Sequence, residues 1–222
     1  TGSNNTREAL KATEYGFASG MHASLQINPY YGKTSPTGLQ EHFQRVLELG
    51  PAIIYNVPSR TGQDLPLELI RELAKDTNLL GVKECAGNDR IAAYEKEGIA
   101  CWSGNDDQAW EARHRCGGHG VISVTANVVP GLMRCLMDEP DSTLADRLEP
   151  LMNWLFVHPN PIGVNTALAM TGATKPVFRL PYVPLDTELR QTGIDLLQQF
   201  ESGDLVGSSL ELMRDEDFQL VA

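Results

Sequence analysis

The 222-residue chain predicts an α/β fold built on a parallel sheet. Three observations carry this expectation. Short apolar runs recur along the first half of the chain, amphipathic segments with helical spacing separate them, and each connection is long enough for a helical crossover and too long for a hairpin.

The elements follow in order. Asn5 to Ser19 reads as a helix, with Asn5 as N-cap, Glu8 three residues later in capping-box register, and a stop near Gly20. His22 to Asn28 is a strand ended by Pro29-Tyr30-Tyr31-Gly32, and the next segment places Leu39, Phe43, Val46 and Leu47 on one helical face. Ala52 to Val57 (AIIYNV) is a continuous apolar strand stopped by Pro58. After an SRTG loop, a helix from about Pro66 aligns Leu67, Ile70, Leu73 and Ala74. Leu79 to Glu84 is the third strand, Ile91 to Glu97 a short helix and Ala100 to Ser103 the fourth strand. A helix over Gln108 to Arg115 ends at Gly117-Gly118, and Gly120 to Thr125 (GVISVT) completes the series. From Pro130 the strand signal fades, and helices are expected at Leu144 to Phe156, Ile162 to Met170 and Thr187 to Phe200. The final MRDEDFQLVA reads as a polar tail. Residues 1–128 are thus expected to form the α/β part and 129–222 a C-terminal helical region.

Both an open doubly wound sheet and a barrel place their sites at strand carboxyl ends. No G-x-G-x-x-G follows a strand and no G-x-x-x-x-G-K-[ST] occurs, so a nucleotide-binding fold lacks its signature and a barrel is preferred. The net charge of −11 carries no cluster of Lys and Arg, which speaks against a nucleic-acid surface. No apolar run approaches the ~18 residues of a membrane span. Four cysteines, Cys85, Cys101, Cys116 and Cys135, lie at wide spacings, with Cys85 and Cys101 in apparent buried strands, and read as reduced thiols. His114, Cys116 and His119 do not match zinc spacing, so no metal is expected, and no cofactor.

The strand ends gather a candidate site. Lys83 closes the apolar run LLGV, where desolvation disfavours an ammonium and frees an amine able to attack a carbonyl. The competing reading is an ion pair with Glu84, which alternation along a strand makes awkward. Tyr55 at the end of its strand suits a proton shuttle or simple packing. Arg60, between Pro58 and Gly62, offers a fork for a carboxylate or is a solvated loop residue.

The segments NPYYGKTS, IIYNVPSRTGQDLP, GVKECAGNDRI, WSGNDD, GGHGVISVTANVVPGLM, NPIGVNTAL and FRLPYVPL, in this order and spacing, resemble the dihydrodipicolinate synthase family. GKTS, WSGNDD, LMNWLF and FRLPYVPL look like its plant and algal form. The resemblance implies a TIM (β/α)8 barrel, of which this chain is expected to lack about the first three strands and the paired threonines on the second, followed by a C-terminal helical extension. It also implies a lyase of lysine biosynthesis that condenses pyruvate with L-aspartate 4-semialdehyde. In that scheme Lys83 forms the imine and Tyr55 relays protons, while Tyr31 reaches into a neighbouring subunit's site. Arg60 holds the aldehyde's carboxylate, and Gly104 and Ile122 line the pyruvate pocket. Asn4, Glu8 and Tyr30 fall where the family binds lysine as feedback inhibitor. A homotetramer, a dimer of dimers, and a plastid location follow from the same resemblance. Two other readings share these residues: another pyruvate-dependent aldolase of the superfamily, and a truncated, inactive chain that binds lysine as a regulator.

Overall fold

The computed structural model describes all residues, Thr1–Ala222, and divides them into two compact units, Thr1–Ile122 and Ser123–Ala222.

The first unit alternates helix and strand: α1 (Thr6–Ala18), β1 (Ser24–Ile27), α2 (Pro36–Leu47), β2 (Ala52–Asn56), α3 (Pro58–Thr61), α4 (Leu67–Leu73), β3 (Leu79–Glu84), α5 (Asn88–Glu95), β4 (Cys101–Ser103), α6 (Ala109–His114) and β5 (Gly120–Val121). The five strands form one parallel sheet in the order β1-β2-β3-β4-β5, with a helix in each crossover. Side-chain caps start the first two helices. Ser35 Oγ accepts the Gly38 N–H at 3.1 Å with Pro36 at the first helical position. Asn5 caps α1 through the Arg7 N–H at 3.0 Å, but the expected box with Glu8 does not form, because the Asn5 N–H donates to Ser3 Oγ instead (3.2 Å).

Alternation divides each strand between two environments. Ser24, Gln26, Ala52, Ile54, Asn56, Val82, Glu84, Cys101 and Ser103 are buried. The apolar members of this set share a core with Ala9 of α1, Leu39, Phe43, Val46 and Leu47 of α2, Ile70 and Leu73 of α4, Ile91 and Tyr94 of α5 and Ala112 of α6. Leu25, Ile27, Ile53, Tyr55, Lys83, Trp102 and Val121 face the other way and are half-buried. The β2–β3 register carries one irregularity: Ala52 pairs with Leu79 and Ile53 with Gly81, which leaves Leu80 as the extra residue of a bulge. Gly81 is required there. Its φ is +147°, and a Cβ would lie 2.2 Å from the Ala100 carbonyl oxygen.

The expectations need three corrections in this unit. The SRTG segment is not a plain loop: Ser59, Arg60 and Thr61 lie in the one-turn helix α3, closed by Gly62 at φ +77°. The fifth strand spans two residues where Gly120 to Thr125 was expected, and Thr125–Asn127 turn as a 3₁₀ helix. Cys85 lies one residue past β3 and is half-buried, so it is no core thiol; Cys101 is fully buried, and all four cysteines are free.

The second unit contains α7 (Pro130–Asp138), α8 (Thr143–Leu155), α9 (Ile162–Met170), β6 (Val177–Arg179), α10 (Thr187–Leu197) and β7 (Gln219–Val221). Asp186 caps α10 through the Leu189 N–H at 2.8 Å, and the Trp154 indole of α8 donates to the Leu189 carbonyl at 2.8 Å. The C-terminal segment is structured, contrary to its reading as a polar tail. β7 pairs in parallel with β6, and Arg190, 1% exposed, donates to the Leu185 carbonyl and to Asp215, both at 2.5 Å. No helix of the protein is long and apolar enough to cross a membrane.

Candidate active site

The half-buried face of the sheet carries the chemistry, and the register brings it together. Tyr55 and Lys83 are cross-strand partners of β2 and β3, and Lys83 Nζ stands 4.1 Å from the centroid of the Tyr55 ring. Burial is the main cause that lowers the Lys83 pKa below 10.5; Cys85 and Asp106 pull it back up, and the Arg60 charge lowers it further. Glu84 is on the opposite face, so the Lys83–Glu84 ion pair is not formed, and the alternation argument holds.

Burial pushes the Tyr55 phenol well above its ordinary value, with Cys85 adding to the effect and Arg60 opposing it. The phenol is therefore kept neutral beside the Cys85 thiol. Burial raises the Cys85 thiol in turn, while Lys83, Tyr55 and Arg60 hold it down. These mutual influences place Arg60, exposed on α3, in electrostatic reach of the amine, the phenol and the thiol.

Gly104 belongs to the turn after β4. Its N–H donates to the Glu84 carbonyl at 2.9 Å, and the Asn105 carboxamide donates to the Cys85 carbonyl at 3.3 Å. A Cβ on Gly104 would sit 2.3 Å from Cys85 Sγ and 2.8 Å from Lys83 Cε, so only glycine leaves space over the lysine stem. Ile122 follows β5 and donates its N–H to the Ser103 carbonyl at 2.9 Å.

The remaining expected residues lie elsewhere. Tyr31 is 94% exposed with φ +71°, and its N–H donates to the carbonyl of Thr61 in α3 at 3.2 Å. The Asn4 carboxamide donates to the Tyr30 carbonyl at 3.2 Å, which ties the start of α1 to the loop after β1. Glu8 is exposed on the first turn of that helix. His119 pairs with Glu95 at 3.0 Å and tilts against Trp102. Two residues that influence the amine were not singled out from the sequence. Cys85 is two residues past Lys83 and so on its face by strand alternation, a signal that was present; buried Asp106 entered only within the WSGNDD segment, without a role.

A neutralisable amine, a phenol and a guanidinium at the carboxyl ends of parallel strands are the equipment of a catalyst that captures a carbonyl compound bearing a carboxylate. Residues 1–200 match the model of the dihydrodipicolinate synthetase family, and the chain belongs to that family. Over its whole length it is 56% identical to the chloroplastic 4-hydroxy-tetrahydrodipicolinate synthase of Glycine max and to the chloroplastic 4-hydroxy-tetrahydrodipicolinate synthase 1 of Arabidopsis thaliana. It spans 68% of the first relative's length and 61% of the second's. The crystal structure of the chloride-inhibited dihydrodipicolinate synthase from Acinetobacter baumannii, complexed with pyruvate, superposes with a TM-score of 0.85 at 35% identity over 92% of this chain and 74% of that one. The lysine-bound enzyme of Cyanidioschyzon merolae gives 0.83 at 28% identity over 90% and 73%.

Proposed function

We propose that the chain condenses pyruvate with L-aspartate 4-semialdehyde to 4-hydroxy-tetrahydrodipicolinate, in the lysine pathway of a plastid. One observation carries the reading: the Lys83 amine, depressed by burial, rests against the Tyr55 ring beneath the opening that Gly104 leaves.

Lys83 Nζ attacks the pyruvate C2 carbonyl, and the carbinolamine expels water to give the imine. Loss of a C3 proton forms the enamine, whose C3 attacks the aldehyde carbon; the new alkoxide takes a proton. The amino group of the second substrate then adds to C2 and displaces the Lys83 amine, so that the ring closes with one water lost overall. Tyr55 relays the protons of these steps, Arg60 holds the aldehyde's carboxylate, and Gly104 and Ile122 border pyruvate. That a 35% identical relative was crystallised with pyruvate supports the choice of first substrate.

The finer assignments rest on the resemblance. The five parallel strands form part of a (β/α)8 barrel, whose closure covers the half-buried sheet face. Residues 1–128 supply the barrel strands, and 129–222 are the helical region. Asn4, Glu8 and Tyr30 bind lysine as inhibitor, which the Asn4–Tyr30 contact supports. Tyr31, projecting with a left-handed backbone, serves a neighbouring subunit within a dimer of dimers.

The test is reduction with borohydride in the presence of pyruvate, read by intact mass. The chain is expected to gain one reduced pyruvyl group on Lys83, with a trapping rate that rises with pH around a midpoint below 10.5, because the depressed amine loses its proton earlier than a free one. Lys83→Ala should trap nothing. An adduct that survives this substitution removes the assigned nucleophile.

A further inference from the structure

On the buried face of the sheet, one residue beyond Tyr55 and Lys83, Asn56 and Glu84 are also register partners. The Glu84 side chain has no solvent exposure. Its two oxygens accept from the Asn56 carboxamide at 2.9 and 3.2 Å, and one of them also accepts the Ala86 N–H at 2.7 Å. Arg90 of α5 stands behind it, with Nε 4.0 Å from the carboxylate. The cluster continues outward. Asn56 also donates to Asp64 at 2.7 Å and accepts the Leu65 N–H at 3.2 Å, while Arg90 pairs with Asp64 at 3.0 Å and donates to the Leu65 carbonyl and the Tyr94 hydroxyl.

The backbone segments of Tyr55, Arg60 and Lys83 are therefore tied at their back. Asn56 ends the strand of Tyr55, the 64–65 segment follows the α3 turn of Arg60, and Glu84 with Ala86 flanks Cys85 and adjoins Lys83. A fully buried carboxylate is costly, and simple packing would be served better by an apolar side chain of the same size. Its several directional bonds instead fix four segments to one another.

We propose that Glu84, with Asn56 and Arg90, is a positioning cluster that sets the Lys83 amine against the Tyr55 phenol from the far side of the sheet. The proposal rests on the reading of Lys83 as the imine-forming residue. None of the three touches substrate; they act through the strands.

Borohydride trapping with pyruvate tests this on the full chain, comparing Glu84→Gln and Asn56→Ala with the unsubstituted protein at a temperature where circular dichroism shows each folded. Because a displacement of about 1 Å at a reacting group costs roughly 100-fold, trapping at saturating pyruvate is expected to slow about 10- to 100-fold in both variants. The pH midpoint of trapping should also move, while half-saturating pyruvate changes less than about threefold. Arg90→Lys, which keeps the charge and loses the fork, is the milder variant and should slow trapping about threefold. Unchanged rate and pH midpoint in folded variants, with only the unfolding midpoint lowered, overturn the positioning role and leave Lys83 in place. No adduct on the unsubstituted chain at any pH overturns the Lys83 reading itself, and the cluster's role with it.

Discussion

Gly104→Ala is the sharpest perturbation the site offers, because the backbone there needs no unusual dihedral and the whole effect comes from contact. The added Cβ would stand 2.3 Å from Cys85 Sγ and 2.8 Å from Lys83 Cε, against 3.4 Å for the start of ordinary contact. The thiol must retreat by about 1 Å and the lysine stem by about half that, in a place where the thiol lies beside the Tyr55 phenol. Overpacking of this kind costs about 1–3 kcal/mol, and a shift of that size at the amine slows capture by roughly 10- to 100-fold. The assay is the trapping rate at saturating pyruvate, with thermal unfolding beside it. Two further variants calibrate it. Adding Cys85→Ala to Gly104→Ala removes the larger clash and should recover most of the stability and part of the rate. Gly131→Ala in α7, where nothing lies within 4 Å of the new carbon, should leave trapping unchanged. If Gly104→Ala traps pyruvate at the original rate, the pocket is not bounded by this glycine and the geometric argument fails.

Two other predictions concern stability. His42 is 4% exposed, its Nδ1 bonded to Thr6 Oγ1 at 2.9 Å and its Nε2 without a partner, and burial lowers its pKa below 6.5. The unfolded chain then takes up a proton near pH 6.5 that the folded chain refuses, so stability should fall as pH drops from about 6.5 toward the folded pKa. His42→Gln should flatten that part of a melting-temperature-against-pH curve, and parallel curves would contradict the account. Arg190→Met should lower stability by about 1–3 kcal/mol in urea unfolding, mainly through the buried Leu185 carbonyl left without its donor, since Asp215 at 82% exposure is readily solvated. A smaller loss would mean that the C-terminal segment holds without this anchor.

How much of this was legible in the sequence depended on distance along the chain. AIIYNV and LLGVKE announced β2 and β3 because a strand covered by helices concentrates its apolar residues locally, and alternation alone put Lys83 and Glu84 on opposite faces. Strand five was overestimated because GVISVT has strand composition throughout, while only Gly120 and Val121 find a ladder partner in β4. The pairing of β6 with β7 was invisible. Each strand has three residues, and some forty others separate them, so no periodicity exists to detect. The same holds for the cluster behind the site: Asn56, Asp64, Glu84 and Arg90 look like ordinary polar residues until the register brings them within hydrogen-bond reach. Arg60 and Gly104 drew their meaning from the family pattern, and contacts supplied the physical reason only for the glycine.

The strict alternation of the central strands has a practical meaning for anyone who would redesign this protein. Positions 53, 55, 83, 102 and 121 share the half-buried face, whereas 52, 54, 56, 82, 84, 101 and 103 are sealed against the helices and connecting segments behind the sheet. A library that keeps Lys83 and Tyr55 and diversifies positions 53, 102 and 121 leaves the buried set, and with it the instructions by which the chain finds its shape, unchanged.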